Sequence, residues 1–119
     1  MHVNNQEVKA DAGKPRLTLV PRRIIWDIAA VREYAVNNKY PDENNWRKVE
    51  VRRYRDALYR HFMAYLDDPY GVDEESGLPH LSHVATNVAF LCQLEYENRS
   101  NREMVLLLED DYGKAETGV

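Results

Sequence analysis

Three side chains near the middle of the chain, His80, His83 and Asn87, are spaced by three and seven residues, which places them on one stripe of a helix. Just upstream lie Asp73, Glu74 and Glu75, followed by a break at Ser76-Gly77 and by Pro79, a good helix starter. A third imidazole, His61, sits in the preceding helical segment, flanked at helical spacing by Ala57 and Ala64. Neutral imidazole nitrogen and carboxylate oxygen together suit a first-row divalent ion. His61, Asp73, Glu75, His80 and His83 are therefore the candidate ligands for Mn, Mg or Zn. Such an ion polarises phosphoryl oxygens and acidifies bound water. Asp73 and Glu75 are the candidate catalytic carboxylates, with Glu75 as general base, and Glu74 is left to solvent. The competing reading is a structural network in which His61 pairs with Asp56 or Asp73.

Cationic and aromatic residues accompany this set. Arg47, Lys48, Arg52, Arg53, Arg55 and Arg60 crowd one segment, and Arg53 and Arg60 are candidates to neutralise phosphate. Lys14 and Arg16 flank Pro15 in a turn after Gly13; it could hold a phosphate, although a linker with two solvated cations is the more ordinary reading. Trp46, with Tyr40 or Tyr54, could stack on a base, and Asn87 could orient the substrate. Walker, GxSxG, CxxC and HExxH patterns are absent.

The elements that must position these residues are helical. Apolar residues recur at helical spacing from about 21 to 37, from about 46 to 67 with Asn45 as its cap, and from about 79 to 97. In the third of these, Leu81, Val84, Val88, Leu91 and Cys92 form the expected buried stripe, and Ser82, Thr86 and Gln93 the expected water face. Residues 98–101 read as a break, and Met104–Leu108 as a short final helix or edge strand. The expectation is an all-α fold, a small bundle of three main helices plus a short C-terminal element. A flexible tail over 1–13 precedes a single helical domain over 14–109, and a C-terminal tail covers 110–119.

Composition narrows the function classes. The 119 residues suffice for one core, and 44% hydrophobic with 30% charged residues fits a globular protein. A net charge of −4 argues against a duplex nucleic acid as partner. No apolar run approaches the roughly 20 residues that span a bilayer, and the N-terminus lacks an apolar signal core, so no membrane partner is expected. Cys92 stands alone, which suits a reducing cytoplasm and a small buried hydrophobe. The apolar stretch 104–108 leaves room for a homo-oligomer.

The succession DxGKPRL, LVP, REY, KYP, NNWRKVE, RYRDAL with RH, DEESGLPHLSH and VATNVAFL resembles, over about residues 10–95, a phage and prophage family, the dATP/dGTP diphosphohydrolase N-terminal domain. The resemblance implies a nucleotide ligand, a bacterial host's cytoplasm, and hydrolysis of purine deoxynucleoside triphosphates to monophosphate and pyrophosphate. Its motif positions fall on Asp11, Gly13, Lys14, Tyr40, Trp46, Arg60, His61, Asp73, Glu75, Gly77, His80, His83 and Asn87. The paired ExxE and ExxD carboxylates of MazG-type pyrophosphohydrolases are absent. The functions in play are a metal-dependent nucleotide hydrolase, a non-catalytic nucleotide-binding module that sequesters a signal of host defence, and an interaction protein with a structural histidine cluster.

Overall fold

The computed structural model describes residues 13–117, with side chains to residue 109. The motif's Asp11, the expected tail before Gly13 and the side chains of 110–119 lie outside the described residues. Among the described residues three α-helices follow one another: α1 over Arg23–Asn38, α2 over Val51–Asp67 and α3 over His80–Thr117. Two 3-10 turns, Leu17–Leu19 and Asn45–Lys48, precede α1 and α2. The described residues contain no strand beyond one isolated bridge between Val72 and Pro79, so the fold is an all-α bundle.

Asn45 does not cap α2. It opens the 3-10 turn, and the helix starts only after the extended Glu50. The Tyr54 hydroxyl donates to the Trp46 carbonyl at 2.7 Å and pins that turn against the helix it precedes. The Tyr54 side chain thus satisfies a carbonyl of the turn, and the helical ladder begins afresh at Val51.

Both α1 and α2 pack on α3, which serves as the spine. This explains a difference from the expected burial. Ser82 and Thr86, assigned above to the water face, are 6% and 3% exposed, while Leu81 and Val88 are 47% and 40% exposed. A helix flanked on two sides buries the face between its neighbours, where small side chains permit close approach. The Thr86 hydroxyl is satisfied within its own helix, donating to the Ser82 carbonyl at 2.8 Å. Cys92 lies on the outer side of α3 and is exposed, not buried.

Residues 98–101 do not interrupt α3, which is continuous for 38 residues, about 57 Å. No proline or glycine falls there, and Gln93 donates to Glu97 at 3.0 Å across one turn. Met104–Leu108 is therefore helix, neither strand nor separate element, and every residue from Asn98 to Glu109 is exposed. Among the described residues Val31 is the one buried apolar side chain. The space that a larger core would fill, between α1 and α2 over α3, is a cavity.

Candidate active site

The loop from α2 to α3 is held by its own polar groups. Asp68 ends α2 and accepts from the Gly71 amide at 2.9 Å and, through its carboxylate, from the Tyr70 amide at 3.0 Å. The Asp73 amide donates to the Leu78 carbonyl at 2.8 Å, and the Gly77 amide to the Asp73 carbonyl at 2.7 Å. Gly77 adopts φ +72°, a left-handed turn that suits a residue without Cβ. Inside this turn the Ser76 amide donates to Asp73 Oδ2 at 2.9 Å, and the Leu78 amide donates to Ser76 Oγ at 3.2 Å. The Tyr34 hydroxyl, from α1, donates to the Glu75 carbonyl at 3.0 Å and ties the loop to the first helix. The loop therefore reverses the chain and brings α3 back beside α2.

That reversal gathers all three histidines named above. His61 Nδ1 and His80 Nδ1 stand 3.1 Å apart. The His61 and His83 rings are stacked at 4.5 Å and 11°. His83 Nε2 lies 2.7 Å from Ser76 Oγ and 3.8 Å from Asp73 Oδ2. One ligand atom each from His61, Asp73 and His80 falls within 4.8 Å of the others, a separation that one cation can bridge. Burial, and then the neighbouring histidine, lower the pKa of His61; burial likewise lowers that of His83 against the pull of Asp73. For Asp73 burial acts upward, but hydrogen bonding from Ser76, its backbone amide foremost, and the nearby imidazoles outweigh it and hold the carboxyl below its ordinary range. The lowered pKa values of His61 and Asp73 favour the deprotonated forms a divalent ion requires, so these two donors fit one.

The cavity beside this cluster encloses about 360 Å³. His61, His83, Asp73, Glu75, Trp46, Arg53, Arg60 and Asn87 all line it. His80 reaches it through His61 and is not itself in the lining. Lys14 and Arg16 are exposed before the first 3-10 turn and do not line the cavity. Glu75 forms an ion pair with Lys39 and stands outside the three-donor group, as does His83. Asn87 donates to the His83 carbonyl at 2.8 Å, which steadies its amide at the wall.

Trp46 stacks on Phe90 at 5.0 Å and 15°, with the Arg47 guanidinium 4.5 Å from its ring. Tyr54 tilts against the same Phe90 at 4.7 Å, and Arg32 lies over it at 5.2 Å. These rings form a packed apolar wall, whereas Tyr40, 51% exposed, lines the cavity with a freer face.

Two participants escaped the reading of the sequence. Lys39 sat in the turn that ends the first helix, with nothing to mark it as facing the loop thirty-six residues on. Ser76 had a signal: an Asp three residues before a Ser in a Gly-containing turn is a local capping pattern.

Comparison with known proteins agrees with the resemblance. A dATP/dGTP diphosphohydrolase of Salmonella phage PMBT28 is 31% identical over 84 residues, which is 71% of this chain and 28% of that protein. This chain therefore spans little more than a quarter of that relative's length. No solved structure matches it. The model of the family described as dATP/dGTP diphosphohydrolase, N-terminal, matches residues 4–104, and the chain belongs to that family.

Proposed function

We propose that this is a phage nucleotide-metabolism protein that hydrolyses purine (deoxy)nucleoside triphosphates with the help of a divalent ion, Mn, Mg or Zn. The observation that carries this reading is the cavity, where His61 and Asp73, with His80 behind them, stand beside the cations of Arg53, Arg60 and Lys39. Arg53 and Arg60 lie seven residues apart on one face of α2, about 10 Å along its axis, and neither has an ion pair among the described residues. They are free to take phosphate oxygens. A bound ion supplies charge against the phosphoryl oxygens and a more acidic water. Glu75 is paired with Lys39. A phosphate that draws Lys39 to itself frees Glu75 to take the proton of the attacking water. The water oxygen then bonds to the α-phosphorus and pyrophosphate departs. Tyr40 serves as the stacking surface for the base, and Asn87 orients the ligand.

A second reading has its own observation. The three-donor group contains a single carboxylate, and Glu75 is engaged elsewhere. That arrangement suits a module that binds a nucleotide and sequesters it unchanged, and it suits an accessory role within a longer protein. We further propose that the protein pairs with itself, supported by the apolar residues that α2 and α3 leave exposed.

Purified protein is to be incubated with Mn, Mg or Zn and a panel of nucleotides, with mass spectrometry of the products. Monophosphate and pyrophosphate, abolished by His80→Ala or Asp73→Ala, are the expected outcome. Turnover that survives both substitutions removes the proposal. Stoichiometric recovery of intact nucleotide selects the second reading, and neither metal nor nucleotide binding leaves a structural histidine cluster.

A further inference from the structure

We infer that Ser76 is a positioning residue that aligns two parts of the cation site at once, and that His83 belongs to this alignment and is not itself a ligand. The inference rests on the reading of His61, Asp73 and His80 as a divalent-cation site. Among the described residues Ser76 is the one bonded to both Asp73 and His83. Its backbone amide holds Asp73 Oδ2 at 2.9 Å, and its hydroxyl meets His83 Nε2 at 2.7 Å. Because Ser76 Oγ already accepts from the Leu78 amide at 3.2 Å, its proton is available to His83 Nε2. His83 Nε2 is thereby occupied as an acceptor. Without that bond the same nitrogen, 3.8 Å from Asp73 Oδ2, is placed to compete for the carboxylate that the cation site needs.

The second half of the alignment runs through the stacked rings. His83 lies parallel to His61 at 4.5 Å, so a His83 ring fixed at Nε2 limits the rotation of the His61 ring against it. The His61 plane decides whether its Nδ1 faces His80, which it does at 3.1 Å. One hydroxyl thus supports a carboxylate and an imidazole that come from different elements, the loop and α2. Ser76 bonds Asp73 directly and reaches His61 through His83; removing a group that orients a ligand commonly changes metal affinity by about 10–100-fold.

Mn²⁺ affinity is measured from the electron paramagnetic resonance signal of the free ion, with His61→Gln as the control that removes a ligand. Ser76→Ala keeps the amide bond to Asp73 and loses the hydroxyl, and it should weaken Mn²⁺ binding about 10–100-fold. Ser76→Thr returns the hydroxyl and should bind close to wild type. A Ser76→Ala protein that binds Mn²⁺ as tightly as wild type overturns the inference, and so does a loss that threonine fails to restore. A role confined to the turn would lower the melting temperature of the metal-free protein and leave the affinity unchanged. Ring nitrogen-15 spectra of the wild-type protein provide a test that needs no variant. His83 Nε2 should be the unprotonated nitrogen and should remain unligated when Zn²⁺ is added. A Zn²⁺-bound His83 overturns the inference. Wild-type protein that binds neither Mn²⁺ nor Zn²⁺ removes the cation site itself, and the inference with it.

Discussion

The Nδ1 atoms of His61 and His80 are 3.1 Å apart although nineteen residues separate the two histidines. Two nitrogens at that distance hold a single proton between them, or give up that proton to a shared cation. Asp73 supplies the nearest negative charge within reach of both. The first expectation follows from the exchange of proton for cation. Mn²⁺ or Zn²⁺ at a hundred times its dissociation constant should stabilise the protein by about 2.7 kcal/mol, a rise in melting temperature on the order of 10 °C for a domain of this size. Chelation should reverse the rise, and His61→Gln or His80→Gln should remove it. Calorimetric melts with and without the ion check this.

The same cluster sets a pH dependence. His61 and His83 both have pKa values lowered in the folded protein, chiefly by burial. A group with a depressed folded pKa takes up protons more readily when unfolded, so acid favours unfolding. The stability these two histidines contribute is fully present above the unfolded value of about 6.5 and is lost as pH falls through their folded values. Asp73, lowered in its turn, adds a further loss at lower pH, beneath its ordinary carboxylate range. Melting temperature measured from pH 8 down to pH 5 should therefore decline below about 6.5. In a His61→Gln, His83→Gln double variant that segment of the decline should flatten.

The helices and the histidine stripe were legible in the sequence because both depend on local periodicity. His80, His83 and Asn87 needed only the pitch of one helix to be placed together, and the short loop sufficed to bring His61 back beside them. The rotation of α3 was not legible. Apolar Leu81 and Val88 outrank Ser82 and Thr86 on any hydrophobic scale, yet packing on two sides buries the small polar pair. Lys39 and Glu75 illustrate the same limit: their pairing joins the end of α1 to a loop beyond α2, a contact that only tertiary structure sets. The break expected at 98–101 failed for a local reason, since Asn and Ser weaken a helix by only fractions of a kcal/mol each.

The two arginines on α2 should be separable in kinetics or binding. Each lines the cavity without an ion-pair partner among the described residues. A charge-assisted hydrogen bond to phosphate contributes about 1.5–3 kcal/mol, so Arg53→Ala and Arg60→Ala should each raise the KM or Kd for a nucleoside triphosphate by roughly 10–100-fold. A monophosphate should be less affected than a triphosphate by at least one of them, because the pair is spaced along α2. Titration of both ligands into both variants decides this, and equal, small effects would place the phosphates elsewhere.

Gly77 offers a test of the loop that is independent of any ligand. A Cβ at this position meets nothing within 4 Å, so a substitution is penalised by backbone conformation alone. At φ +72° an alanine costs about 1–2 kcal/mol. Asparagine, which tolerates left-handed backbone, should cost less. Urea denaturation should rank the variants glycine, asparagine, alanine in falling stability. The order matters for the site, because the Gly77 amide closes the turn that presents Asp73.

The far half of α3 bears on assembly. Met104, Val105, Leu106, Leu107 and Leu108 are 64%, 50%, 51%, 68% and 57% exposed, consecutive positions that surround the helix instead of marking one face. A single buried contact with α1 or α2 cannot cover them, since those helices pack nearer the start of α3 and every residue from Asn98 to Glu109 is exposed. Contiguous apolar surface of this kind marks association or aggregation. Sedimentation should therefore give a mass at least twice the 14.0 kDa of the chain. Leu106→Glu with Leu107→Glu should return it to a monomer with its helicity retained. Because this segment lies outside the cavity lining, the double variant should bind Mn²⁺ as the wild type does; a monomer that loses the ion would mean that the second copy helps to build the site.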